Sequence, residues 1–189
     1  MTNDISGKVA ASQPKPETIS EFYCALGSAI ASWQHIETSL FQIFYAAVYP
    51  KYSGPLAAAF HSTQHFNSQL SMTDAALENL FAYNVLFSAL APEWAKIKGK
   101  LNKKYQRRNA LVHYQVIVEP LEPREKNKMY LDPPISDTRH LPADRPIKRY
   151  GLIHIAAIQK GFEELAHRMS SFLTAFGEIE RQLGAYVQR

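Results

Sequence analysis

An arginine stands five residues ahead of a histidine in the run Lys103-Lys104-Tyr105-Gln106-Arg107-Arg108-Asn109-Ala110-Leu111-Val112-His113-Tyr114. These residue types suit cleavage of an RNA phosphodiester. A guanidinium and a short amide, as in Arg108 and Asn109, stabilise the negative charge that builds on a phosphorane-like transition state. An imidazole with an ordinary pKa near neutrality can move a proton from the 2′-hydroxyl or onto the leaving 5′-oxygen, which is the task open to His113. That chemistry needs no metal. On a helix, five residues separate two side chains by about 140° and about 7.5 Å of rise, so Arg108 and His113 would flank one stripe. The spacing recurs from Arg149 to His154, but that instance starts in a proline-rich stretch without helical context and reads as coincidence.

The elements that must position these groups are helices. Beginning near Pro16-Glu17-Thr18, Ile19, Phe22, Leu26, Ala29, Trp33, Ile36, Leu40 and Ala47 recur every three or four residues, which predicts one long amphipathic helix ending at Tyr49-Pro50. Pro55 suits the first turn of a second helix carrying Leu56, Phe60, Thr63, Asn67 and Leu70, with a break or kink expected among the capping residues Ser71 to Asp74. A third opens at Ala91-Pro92-Glu93 and presents Trp94, Ile97, Leu101, Tyr105, Val112 and Val116 on one face, with the Arg–His run in its second half. Residues 119–150 hold six of the eleven prolines, so no helix passes through them. The extended runs Gln115 to Val118 and Lys128 to Leu131 could pair as a short hairpin. A last helix over Ile153 to Leu183 points Ile155, Ile158, Phe162, Leu165, Met169, Phe172, Phe176 and Ile179 inward. The expected fold is all-α: an antiparallel bundle of four to five long helices, with residues 1–15 a mobile tail, 16–185 one domain and 119–150 a loop excursion.

Two charges fall on the wrong face of this pattern. Arg108 lies seven residues after Leu101 and eleven after Ile97, within the apolar stripe, and Glu37 lies four after Trp33 and three before Leu40. A charge in such a place is paired or functional. One reading is a buried Glu37–Arg108 ion pair between helices; the other is catalysis. Lys96, Lys100, Lys103 and Arg107 instead share the opposite, solvated face. From Trp94 to Val118 there are seven Lys or Arg and no Asp or Glu, which favours an anionic partner such as RNA, with Lys100, Lys103, Lys104 and Arg107 as candidate phosphate contacts.

Arg108-Asn109-Ala110-Leu111-Val112-His113 resembles the Arg, polar residue, three residues, His signature of HEPN (higher eukaryotes and prokaryotes nucleotide-binding) domains. The helical layout and the long first helix with Trp33 and Glu37 agree with it over about residues 16–185. The resemblance implies a helical bundle that dimerises so that two motifs face one composite cleft. Many such domains are metal-independent ribonucleases acting as toxins, in defence or in RNA processing, and some pair with an antitoxin or regulatory protein. By that match Arg108 would bind and polarise the scissile phosphate, His113 would transfer protons and Asn109 would orient one of them, with Glu37 and Tyr114 in support. Several toxin members carry Tyr two residues after the His, whereas Tyr114 here follows His113 directly. Other members are inactive scaffolds, so a non-catalytic RNA-binding or interaction module is the second expectation.

A metalloprotein is the third. His61 and His65, spaced four apart, could hold a metal from one helix face with Glu37, His35 or His113 as a third ligand, but that face is expected to be solvated. Glu164-Leu165-Ala166-His167 is half of a carboxylate-bridged di-metal pattern whose second copy is lacking. No Gly-rich phosphate loop occurs, and no metal or cofactor is expected. With 189 residues, 46% hydrophobic and 20% charged, the chain fits one compact domain of net charge +4. Cys24 is the sole cysteine, the start Met1-Thr2-Asn3-Asp4 is polar, and Ala25 to Tyr49 is interrupted by polar residues, so a reducing cytoplasm and no membrane span are expected.

Overall fold

The computed structural model describes residues 18–48, 53–119, 128–134 and 149–187. The expected tail and most of the 119–150 excursion lie outside the described residues. Along the chain the elements are α1 (Ile19–Val48), α2 (Ser53–Ser62), α3 (Phe66–Tyr83), α4 (Val85–Ser88), α5 (Ala91–His113), β1 (Gln115–Glu119), β2 (Lys128–Asp132) and α6 (Leu152–Val187). They form an all-α bundle with a small antiparallel hairpin ahead of the last helix.

Local chemistry sets the ends. Thr18 Oγ1 accepts from the Glu21 N–H at 3.1 Å while Glu21 Oε2 accepts from the Thr18 N–H at 2.9 Å, a reciprocal box that starts α1. Asn84 Oδ1 accepts from the N–H of Leu86 at 3.0 Å and starts the short α4. The break between α2 and α3 comes at Thr63–His65, not at Ser71–Asp74 as the capping residues suggested. Those residues find other partners: Thr73 Oγ1 donates to the Gln69 carbonyl at 2.9 Å, and Asp74 accepts from the Trp94 indole at 2.8 Å and pairs with Lys98.

One aromatic layer joins the four long helices. Trp33 of α1, 1% exposed, lies 5.0 Å from Phe66 of α3, 5.1 Å from Phe162 of α6 and 6.1 Å from Tyr105 of α5, and Phe66 stacks on Tyr105 at 4.8 Å. To one side of the layer Phe41 and Phe44 of α1 meet Phe60 of α2 at 5.3 and 4.9 Å. To the other, Trp94 of α5 meets Phe172 of α6 at 5.9 Å and Phe87 meets Phe176 at 4.5 Å. These contacts fix the sense of each helix: α1 and α5 run together, and α3 and α6 run against them. The expected inward residues of α6 from Ile155 to Phe176 are buried.

The hairpin pairs Gln115 with Asp132 through Glu119 with Lys128. Tyr150 bridges to Leu131, which ties the hairpin to the start of α6. Arg149 Nε donates to Asp132 at 3.1 Å, and its guanidinium stands 4.5 Å above the Tyr130 ring. The second Arg–His spacing thus begins at a residue that fastens the hairpin.

Candidate functional site

The stripe of α5 holds through Trp94, Ile97 and Leu101, all buried, and then turns. Ala110 and Leu111 are buried, whereas Val112, expected to point inward, is 42% exposed. Relative to Leu101, Leu111 and Ala110 lie about 80° and about 180° round the helix, so the last two turns bury a different face. Near this end of the helix Tyr150 stands beside it, its ring 5.8 Å from that of Tyr114 and its hydroxyl accepting from Arg107.

Arg108 sits on the face that the core abandons. It is half-buried, one turn beyond Tyr105 and the aromatic layer, and its Nη1 donates to Asn109 Oδ1 at 3.3 Å. Glu37 occupies the equivalent place on α1, one turn beyond Trp33. The two are not an ion pair: among the described residues the pairs are Lys98–Asp74, Arg149 with Glu119 and Asp132, Arg168–Glu93 and Arg181–Glu178. Glu37 Oε1 instead accepts from the Trp33 indole N–H at 2.6 Å. A buried indole N–H needs an acceptor, and a carboxylate one turn away on the same helix supplies it.

His113 is the last residue of α5 and is exposed. Tyr114, half-buried, ends the helix with extended backbone and returns its N–H to the Ala110 carbonyl at 3.1 Å. The structure therefore brings Arg108 and Asn109 together; His113 stands one helical turn beyond Asn109, and among the described residues no hydrogen bond joins it to either. Arg108, Val112 and the neighbouring His113 line an uncovered strip of α5.

The expected phosphate contacts lie elsewhere on the helix. Lys100 and Lys103 are exposed, and Lys104 is half-buried. Arg107, expected to be solvated, is half-buried, with Nη1 donating to the Tyr150 hydroxyl at 3.3 Å. Lys103, Lys104 and Arg107 line a cavity of about 310 Å³ with Tyr150 and His154 of the α6 end. Periodicity on α5 alone could not reveal the contribution of α6, although the repeated Arg–His spacing had drawn notice to His154.

The histidine pair proposed for a metal is not a pair on one face. His61 belongs to α2, where its ring lies 4.7 Å from Phe41, and His65 is the extended residue that precedes α3. Among the described residues no three His, Cys, Asp or Glu side chains gather as a ligand set. None of the helices among the described residues is long and apolar enough to cross a membrane. Comparison with protein-family models, with curated proteins and with solved structures finds no match to this chain.

Proposed function

We propose that this chain is a HEPN-like, metal-independent endoribonuclease that cleaves single-stranded RNA at a composite site in a homodimer. The observation that carries the reading is Arg108. A structural role asks for a carboxylate partner, and among the described residues none pairs with it. Its guanidinium, steadied by Asn109, is left to meet a phosphate.

In the proposed reaction the 2′-oxygen attacks the adjacent phosphorus and the 5′-oxygen departs. His113 takes the 2′-hydroxyl proton or delivers one to the 5′-oxygen, water exchanging the other proton, so that a 2′,3′-cyclic phosphate and a 5′-hydroxyl result; Arg108 and Asn109 hold the charge on the phosphorane oxygens. Dimerisation brings one copy's His113 to the other's Arg108. Support for the seam comes from Val112, an exposed apolar residue one turn beyond Arg108, which a second copy would cover. A toxin or defence role, with a regulatory protein that covers the same strip, fits such an activity. The rival is a non-catalytic scaffold of the same type, favoured by the lack, among the described residues, of a hydrogen bond between His113 and Arg108 in one chain. Purified wild type and His113→Ala, incubated with labelled single-stranded RNA in EDTA, decide between them. Cleavage by wild type alone is expected; equal cleavage by both, or by neither, overturns the catalytic reading.

A further inference from the structure

Charges on α5 divide into two kinds. Near its start, Glu93 is held by Arg168, with Nη2 to Oε2 at 2.9 Å, and Lys98 is held by Asp74. Further along, Lys103, Lys104 and Arg107 converge on the 310 Å³ cavity between α5 and α6, and none of the residues lining it is acidic. A second cavity of about 190 Å³ adjoins it, shares Lys103 and Lys104, and adds Lys100, Gly161, Leu165 and Glu164 at its far end. Together they form one groove with four cations and one carboxylate. Two of its features are built rather than incidental. Gly161 has no side chain where a Cβ would overlap Lys104 Nζ, so the lysine lies across α6. Tyr150, 5% exposed, fixes Arg107 through its hydroxyl and with its ring 5.9 Å from the guanidinium carbon.

We infer that this groove is a phosphate-binding exosite for single-stranded RNA, set apart from the Arg108–His113 pair. Lys100, Lys103 with Lys104, and Arg107 occupy successive turns of α5, about 5.4 Å apart along its axis. A row of cations at regular intervals suits a ligand whose charge repeats along its backbone. That the strand is RNA rests on the proposed function; the phosphate chemistry does not. The groove lies about 100° round α5 from Arg108, so a strand held there reaches the cleavage strip only by passing round the helix or across a dimer.

The test is binding, measured by fluorescence anisotropy on the full chain carrying His113→Ala, with a labelled single-stranded RNA over a range of salt. Adding Lys103→Glu, Lys104→Ala and Arg107→Ala together is expected to weaken binding at least tenfold at low salt. It should also lower the slope of log affinity against log salt by about 2, for about three phosphates at about 0.7 each. Lys103→Glu alone, at an exposed position that does not threaten folding, should weaken binding more than Lys96→Glu, which lies outside the groove. Unchanged affinity and slope in the triple variant with native helical circular dichroism, or no RNA binding by the parent protein at low salt, overturns the inference. Cleavage by wild type is scored separately, so a failed exosite and a failed nuclease give different results.

Discussion

Replacing Arg108 by leucine separates a functional arginine from a structural one. The side chain is half-buried, next to the aromatic layer, and its hydrogen bond goes to its own neighbour Asn109. Half-burying a leucine there contributes about 1 kcal/mol, since full burial is worth about 1.5–3 kcal/mol. Loss of the Arg108–Asn109 contact costs about 0.5–1.5 kcal/mol, the usual net value of one hydrogen bond. The two nearly cancel, so Arg108→Leu should leave the midpoint of thermal unfolding within about 3 °C of wild type, at about 2–4 °C per kcal/mol for a chain of this size. Cleavage should fall by about 10²–10³, the usual consequence of removing one group that stabilises transition-state charge. Circular dichroism against temperature and single-turnover cleavage of labelled RNA, on the same preparation, give both numbers. A drop of about 10 °C or more refutes the reasoning, because removing one partner of a buried ion pair costs about 3–5 kcal/mol. Undiminished cleavage refutes it from the other side.

Glu37 should prove to serve Trp33. Glu37→Leu leaves the indole N–H of a residue 1% exposed without its acceptor and should cost about 1–3 kcal/mol in urea unfolding, while Glu37→Gln keeps an acceptor oxygen and should cost far less and retain cleavage. The carboxyl of Glu93 is held below its usual value of about 4.5 by the hydrogen bond from Arg168. A depressed carboxylate stabilises the fold above its unfolded pKa and loses that contribution as pH falls through the folded one. Glu93→Gln should therefore lower the melting temperature at pH 6–7, and the difference should vanish in melts taken well below pH 4.5. A difference that persists there contradicts the pairing.

Periodicity carried the reading of the fold far, because burial of one face dominates long helices. The inward residues from Phe22 to Leu40 on α1 and from Ile155 to Phe176 on α6 could be read directly, and so could the hairpin of β1 and β2. What failed were places where a tertiary partner overrode a local signal. Asp74 looked like a helix cap and serves Trp94 instead. Val112 continued the stripe of Leu101, yet the last two turns of α5 bury Ala110 and Leu111 on another face. Glu37 and Arg108, expected on apolar faces, are each half-buried. They do not pair with each other, because Glu37 accepts from the Trp33 indole on its own helix. His61 and His65 lost their shared face to the break at Thr63–His65. The groove over α5 and α6 needed two helices 40 to 60 residues apart, and no single-helix pattern contains it.

The central claim is that Arg108 and His113 from two copies of the chain together cleave RNA. It is tested most directly by mixing two inactive variants. Arg108→Ala and His113→Ala are each incubated with labelled single-stranded RNA in EDTA, alone and after denaturing and refolding together. Each alone should fall at least about 100-fold below wild type, and the mixture should recover a measurable part of the lost rate, since half of the refolded pairs bring an intact Arg108 to an intact His113. Full cleavage by either variant alone contradicts the account, and a mixture no more active than its components contradicts the composite site.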